Sequence, residues 1–283
     1  MADQAVWRCG EFTFPAEGAD VRPLVMGILN VTPDSFSDGG THNAPQDALV
    51  YAEHMLGQGA DIIDVGGEST RPGSDEVAPE EELARVLPVV RELAARGRCV
   101  SVDTRHAPVA QACVDAGAAI INDVSGFRDP AMVEVAAGCD AGLVVMHMLG
   151  EPKTMQAEPH YEDVVGEVGA YLVKQAHMLE QAGVAPERIC IDPGVGFGKT
   201  TKHNLQLLQA TDWLASLGYP LMVAVSRKRF IGELTGVDVA ADRVAGSVAA
   251  AQYAVEHGAL VARVHDVAET VQAFRLFGAI QSA

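Results

Sequence analysis

Ile189-Cys190-Ile191-Asp192-Pro193-Gly194-Val195-Gly196-Phe197-Gly198-Lys199 begins as a short apolar run and turns abruptly polar and glycine-rich. Apolar residues without alternation read as a strand buried on both faces, as a parallel sheet covered by helices requires. Asp192 ends that run, and a carboxylate there is costly to bury without a partner. The segment is therefore read as a strand whose C-terminal end carries hydrogen-bonding groups.

Outward from this segment the same unit recurs. Short apolar runs lie at 24–29, 61–65, 99–102, 119–121, 142–146, 189–191, 221–225 and 260–264. Between them apolar residues follow helical spacing, for instance Leu83, Leu87, Val90 and Ala94, or Leu205, Leu208 and Leu217. Pro88 predicts an interruption or kink in the second helix. Eight strand-helix units favour a closed (β/α)8 TIM barrel, since a doubly wound sheet more often has about five or six strands. Residues 5–14 read as a short N-terminal β-hairpin, with Val6, Trp7, Phe12 and Phe14 either side of Cys9-Gly10-Glu11, positioned to cover one barrel end. That hairpin and its lead-in occupy 1–20, and no linker or repeat divides the rest, so 1–283 reads as a single α/β domain.

Composition narrows the function classes. The 283 residues carry a formal charge of −18, which argues against a nucleic-acid partner, and an anionic ligand would require basic groups concentrated locally. Runs such as 143–146 and 221–225 fall far short of the roughly 20 apolar residues that span a bilayer. The first residues include Asp3 and lack the basic start of a secretory leader, so a cytoplasmic protein without membrane attachment is expected. Cys9, Cys99, Cys113, Cys139 and Cys190 show no C-x-x-C pair and read as small buried hydrophobes.

A (β/α)8 barrel places its chemistry at the C-terminal strand ends. There the chain has Asn30 to Gly40, Gly66 to Gly73, Asp103-Thr104-Arg105, Asn122-Asp123, Met146-His147-Met148, Asp192 to Lys199, Ser226-Arg227-Lys228-Arg229 and Arg263 to Asp266. One such cluster could simply cap a helix, but eight in succession point to a site. Asp103 and Asp192 would be satisfied by a fused-ring ligand with an N–H edge, and Asn122 offers both donor and acceptor. Arg71, Lys228, Arg263 and His265 supply the local basic groups that a phosphate or diphosphate needs. Asn30 with Mg2+ would complete such a site, because Mg2+ binds through few protein ligands plus phosphate oxygens and water. For Arg227 and Arg229, pairing with a neighbouring acid is the plainer alternative. Gly198-Lys199-Thr200 imitates a P-loop, but Pro193 stands where its first glycine belongs, and Lys199 breaks a dinucleotide fingerprint in the same loop. No H-x-H or H-x-x-x-H pair indicates zinc.

Met26 to Gly40 resembles the first loop of the dihydropteroate synthases, enzymes of folate biosynthesis. Gly66 to Gly73, Ser101 to Thr104, Ile121 to Val124, Asp192 to Lys199, Ser226 to Lys228 and Arg263 to Val267 match further motifs of that family in order, and the resemblance covers residues 5–280. It implies a transferase in which p-aminobenzoate displaces diphosphate from 6-hydroxymethyl-7,8-dihydropterin diphosphate. It further implies a pterin held by Asp103, Asn122, Asp192 and Lys228 near Met146 and Phe197. By the same resemblance Asn30, Arg71, Arg263 and His265 hold diphosphate and Mg2+, and Thr70, Pro72, Ser226 and Phe36 form the p-aminobenzoate pocket, with Arg71 beside it. Asp103, Lys228, Arg263 and His265 become the catalytic set, Asn30 the metal ligand, and the protein a homodimer and sulfonamide target. Val195 and Ser247 depart from the family's usual phenylalanine and threonine. Two other readings share parts of this site: a methyltetrahydrofolate-dependent methyltransferase, which would not need the Asn30 loop or the Arg263 and His265 pair, and a non-catalytic pterin-binding paralogue, which should have lost them. The apolar helix at 244–255 could pack on a partner or on its own barrel.

Overall fold

A computed structural model describes residues 6–16, 22–32, 44–68, 76–150 and 155–283. The chain opens with a hairpin of β1 (Val6–Cys9) and β2 (Phe12–Pro15), in which Cys9 pairs with Phe12. Gly10, at φ 57°, supplies the left-handed residue that so short a turn requires. Strand and helix then alternate: β3 (Leu24–Asn30), α1 (Ala44–Gln58), β4 (Ile62–Gly66), α2 (Pro79–Ala95), β5 (Val100–Asp103), α3 (Ala107–Asp115), β6 (Ile120–Asp123), α4 (Pro130–Ala137), β7 (Gly142–Met146) and α5 (Val164–Gln181). The second part comprises β8 (Ile189–Asp192), α6 (Thr201–Gln209), α7 (Thr211–Ala215), β9 (Met222–Val223), α8 (Arg229–Thr235), α9 (Val244–Glu256), β10 (Val261–Val264) and α10 (Val267–Gln281).

The described strands β3 to β10 form one parallel sheet in the order β8-β7-β6-β5-β4-β3-β10-β9. A parallel bridge between Ile191 and Leu221 joins its two ends, so the barrel closes. This seam is the thinnest part of the sheet. The run 221–225 contributes only Met222–Val223 to a strand, Leu221 forming the isolated bridge and the chain leaving the ladder at Ala224 to turn toward α8. Helix α2, by contrast, is continuous through Pro88, so the expected interruption is absent.

Two apolar layers separate the ends of the molecule. Outside the barrel, strand residues such as Leu29, Val65, Val102 and Leu143 pack against the helices. Inside, at the N-terminal end, Met26, Ile62, Val144 and Cys190 fill the bore beneath Trp7 and Cys9 of the hairpin. Trp7 is fully buried, its indole N–H donating to the Arg188 carbonyl at 3.2 Å, and the Gly10 N–H donates to Asp140 at 3.0 Å. The hairpin therefore plugs one end, as expected, and leaves the other for ligands. At that open end the strands run one or two residues further than the apolar pattern indicates: Asn30, Gly66, Asp103, Asp123 and Asp192 are strand residues, because ladder bonds use the backbone whatever the side chain. Their side chains are held by the sheet rather than by loops.

Candidate active site

Register brings the polar strand ends side by side. Asn30 is opposite Gly66, Gly66 opposite Asp103 and Asp103 opposite Asn122, while Met146 is opposite Asp192. From β10 the guanidinium of Arg263 reaches across the bore, its Nε donating to Asp64 at 2.6 Å and its Nη2 to Asp103 at 2.6 Å. Asn122 adds a bond to Asp64 at 3.2 Å. One cation thus serves two buried carboxylates, leaving Asp64 Oδ1 and Asp103 Oδ1 buried without a hydrogen-bond partner. Orphaned acceptors of this kind are costly unless a ligand supplies donors. Burial pushes the Asp103 carboxyl up to about 7, against the lowering influence of Arg263 and with Asp64 adding to the rise. Asp64 was not among the residues singled out in sequence. Asp103 follows its apolar run, whereas Asp64 lies inside one, where nothing in the spacing marks it.

The opposite wall comes from β8, β7 and the turn after β9. Asp192 is buried, accepts from the Gly194 N–H at 2.7 Å, and has its pKa raised by that burial. Lys228 Nζ lies 4.0 Å from the centroid of the Phe197 ring, a cation–π contact. Gly196, at φ 84°, makes this possible, since a Cβ there would stand 3.1 Å from Lys228 Cδ. Phe197 packs with Val124, Met146, Met148 and Met155 in an apolar wall. Beneath it Lys199 is buried, donating to the Phe197 carbonyl and lying 3.0 Å from His147 Nδ1. Lys199 therefore fastens this loop and does not cradle a phosphate.

A cleft of about 1020 Å³ opens above these groups, lined by Asn30, Asp103, Phe197, Lys228, Arg263 and His265 among others. Ser226 also lines it, accepting from the His265 N–H at 3.1 Å with His265 Nδ1 at 3.1 Å. Asn122, Met146 and Asp192 are buried in the strand ends adjoining the cleft. Phe36, Thr70, Arg71 and Pro72 lie outside the described residues. Arg227 and Arg229 pair with neighbouring acids, Arg227 with Asp266 and Arg229 with Glu233. Arg105 braces Glu68 and Glu76 at 3.0 Å each, beside the cleft. Among the described residues no group of three or more His, Cys, Asp or Glu is arranged to hold a metal.

The family model of pterin binding enzymes matches residues 26–265. Over 279 residues the chain is 50% identical to the dihydropteroate synthase of Neisseria meningitidis serogroup C, covering 97% of each chain. The chain belongs to the dihydropteroate synthase family. A solved structure of the Xanthomonas albilineans dihydropteroate synthase with 4-aminobenzoic acid matches at a TM-score of 0.92 and 46% identity, covering 99% of both chains. The Burkholderia cenocepacia dihydropteroate synthase complexed with 7,8-dihydropteroate matches at a TM-score of 0.89 and 46% identity, covering 98% of this chain and 97% of its own.

In this member of the dihydropteroate synthase family the buried His147 and Lys199 pair has a consequence for pH. The His147 ring lies beside the Lys199 amine in a buried site that disfavours a second charge, so the ring is neutral. Burial and Lys199 push the His147 pKa down to about 3 from 6.5. Between those values the unfolded chain binds a proton that the folded chain refuses, so stability falls as pH drops from about 6.5 toward 3. Urea unfolding of wild type and His147→Gln on both sides of that window is expected to show a smaller acid loss in the variant. Equal acid sensitivity would contradict the assignment.

Proposed function

We infer that this chain is the transferase that joins p-aminobenzoate to 6-hydroxymethyl-7,8-dihydropterin diphosphate, releasing diphosphate and 7,8-dihydropteroate. The observation carrying this reading is the floor in which Arg263 bridges Asp64 and Asp103 while one oxygen of each carboxylate stays without a partner. A pterin's edge of ring N–H and amino groups presents the donors those oxygens lack, and Asn122 and Asp192 border the same floor. Phe197, backed by methionines, offers an apolar wall for the ring.

In the reaction the C–O bond to diphosphate breaks with both electrons leaving on oxygen, the amine lone pair forms the C–N bond, and the amine loses a proton. Positive charge grows on the pterin methylene as the bond breaks, and Asp103, in its carboxylate form, stabilises it from below. Lys228 and His265 at the cleft rim, with Arg263 of the floor, supply positive charge and N–H groups where negative charge gathers on the leaving group. Asn30 offers one amide oxygen at that rim, a donor set that fits Mg2+ held mainly by diphosphate oxygens and water. Bound there, Mg2+ would offset the charge of the leaving group. Ser226, joined to His265, borders the side from which the amine enters. A methyltransferase acting on methyltetrahydrofolate would have no use for this basic rim.

The same reading includes a cytoplasmic homodimer. The five cysteines are free, which suits a reducing compartment. Between α6, α8 and α9 an apolar groove of about 520 Å³ includes Leu205, Phe230, Leu234, Ala250 and Tyr253, with Leu234 56% exposed. A second copy covering this groove accounts for apolar surface that a monomer would leave in water. Sedimentation of the wild type is expected to give a dimer and Leu234→Lys a monomer; a wild-type monomer would contradict it.

The activity itself is tested by incubating the protein with the pterin diphosphate, p-aminobenzoate and Mg2+ and measuring diphosphate and dihydropteroate. Product that depends on p-aminobenzoate is expected, and Asp103→Asn should slow turnover by about an order of magnitude or more in a folded protein. Absence of product would sink the reading, and unchanged turnover in the variant would remove Asp103 from the mechanism.

A further inference from the structure

Val225-Ser226-Arg227-Lys228 is a tight turn, closed by the Lys228 N–H donating to the Val225 carbonyl at 3.3 Å. Its third residue, Arg227, has φ 59°. That is the position where turns with a left-handed residue ordinarily take glycine, and a bulky side chain is strained there. Glycine would fit this backbone better, so the reason for arginine lies in its side chain or in what surrounds it.

The surroundings hold the turn from three sides. The guanidinium lies on the Asp266 carboxylate, with Nε 3.0 Å from Oδ2 and Nη2 2.5 Å from Oδ1. The Arg227 N–H donates to Ser247 Oγ at 2.8 Å, and the Arg227 carbonyl accepts from Arg243 Nη1 at 3.1 Å. Ser247 in turn donates to the Arg243 carbonyl at 2.7 Å, so its buried hydroxyl is used as both donor and acceptor. Arg243 also donates to the carbonyls of Val237 at 2.9 Å and Asp238 at 2.5 Å.

The turn's neighbours give this anchoring a purpose. Ser226 before it is bonded to His265, Lys228 after it lies over Phe197, and Asp266 directly follows His265. We propose that Arg227 is a positioning residue: its ion pair with Asp266 and its backbone bonds to Ser247 and Arg243 lock a left-handed turn that holds Ser226, Lys228 and His265 around one ligand. The proposal rests on the transferase reading above and adds to it the device that sets the rim's geometry. It also gives Ser247 a task that a threonine hydroxyl could perform equally well.

The test compares wild type with Arg227→Gly, Asp266→Asn, Ser247→Ala and Ser247→Thr, measuring kcat, both KM values, 7,8-dihydropteroate affinity by calorimetry and urea midpoints. Arg227→Gly relieves the backbone but lacks the anchor, so it should stay folded while kcat/KM and product affinity fall about tenfold or more. Asp266→Asn and Ser247→Ala should fall in the same direction, and Ser247→Thr should remain within about twofold of wild type. Wild-type kinetics and affinity in Arg227→Gly or Asp266→Asn would overturn the proposal, as would equal damage from Ser247→Ala and Ser247→Thr. If Arg227→Gly does not fold, Asp266→Asn and the serine pair decide the matter. A wild type that binds 7,8-dihydropteroate but makes no product would instead overturn the transferase reading, leaving the affinities to judge the turn.

Discussion

The site depends on one guanidinium shared by two carboxylates inside a closed barrel. Arg263 spans the bore from β10 to Asp64 and Asp103 on two other strands, where both carboxylates are buried and the guanidinium is largely so. Buried ion pairs of this kind seldom stabilise a fold, since desolvation consumes most of what the charges gain from each other. Their presence at the ligand end, with an acceptor oxygen left over on each carboxylate, is explained by what they recognise. The scaffold makes this arrangement tolerable: the hairpin and Trp7 close the other end, and apolar side chains fill the bore below.

The remaining groups take their tasks from that floor. Strand ends hold Asp103, Asn122 and Asp192 by backbone bonds, so these side chains cannot drift as loop residues would. The Lys199 contact to the Phe197 carbonyl and the anchored turn at Arg227 fix the two walls from which Phe197, Lys228 and Ser226 project. A preorganised polar site in an apolar surround stabilises developing charge without having to rearrange during the reaction. Each of these supports lies one layer away from the ligand and uses buried polar atoms.

Much of this was legible in the sequence. The eight apolar runs and the polar residues that follow them indicated the barrel and its active end, because burial on both faces removes polar alternation. Asp103, Asn122, Asp192, Lys228, Arg263 and His265 could be named because each belongs to one of the polar clusters at the strand ends. Asp64 could not be distinguished in the same way, since it lies inside its run and only the bore's geometry shows that it faces Arg263. Continuity of α2 through Pro88 and the brevity of β9 depend on tertiary packing, which spacing does not encode. The left-handed turn at Arg227 was hidden for a similar reason, as arginine gives none of the local signal that glycine would.

The most direct test of the central claim is the affinity of 6-hydroxymethyl-7,8-dihydropterin for wild type and Asp64→Asn, measured by calorimetry on protein shown to be folded by circular dichroism. If the shared guanidinium organises the floor, removing the carboxylate that Arg263 and Asn122 both contact should weaken binding by about tenfold or more. Unchanged affinity in a folded Asp64→Asn variant would contradict the account.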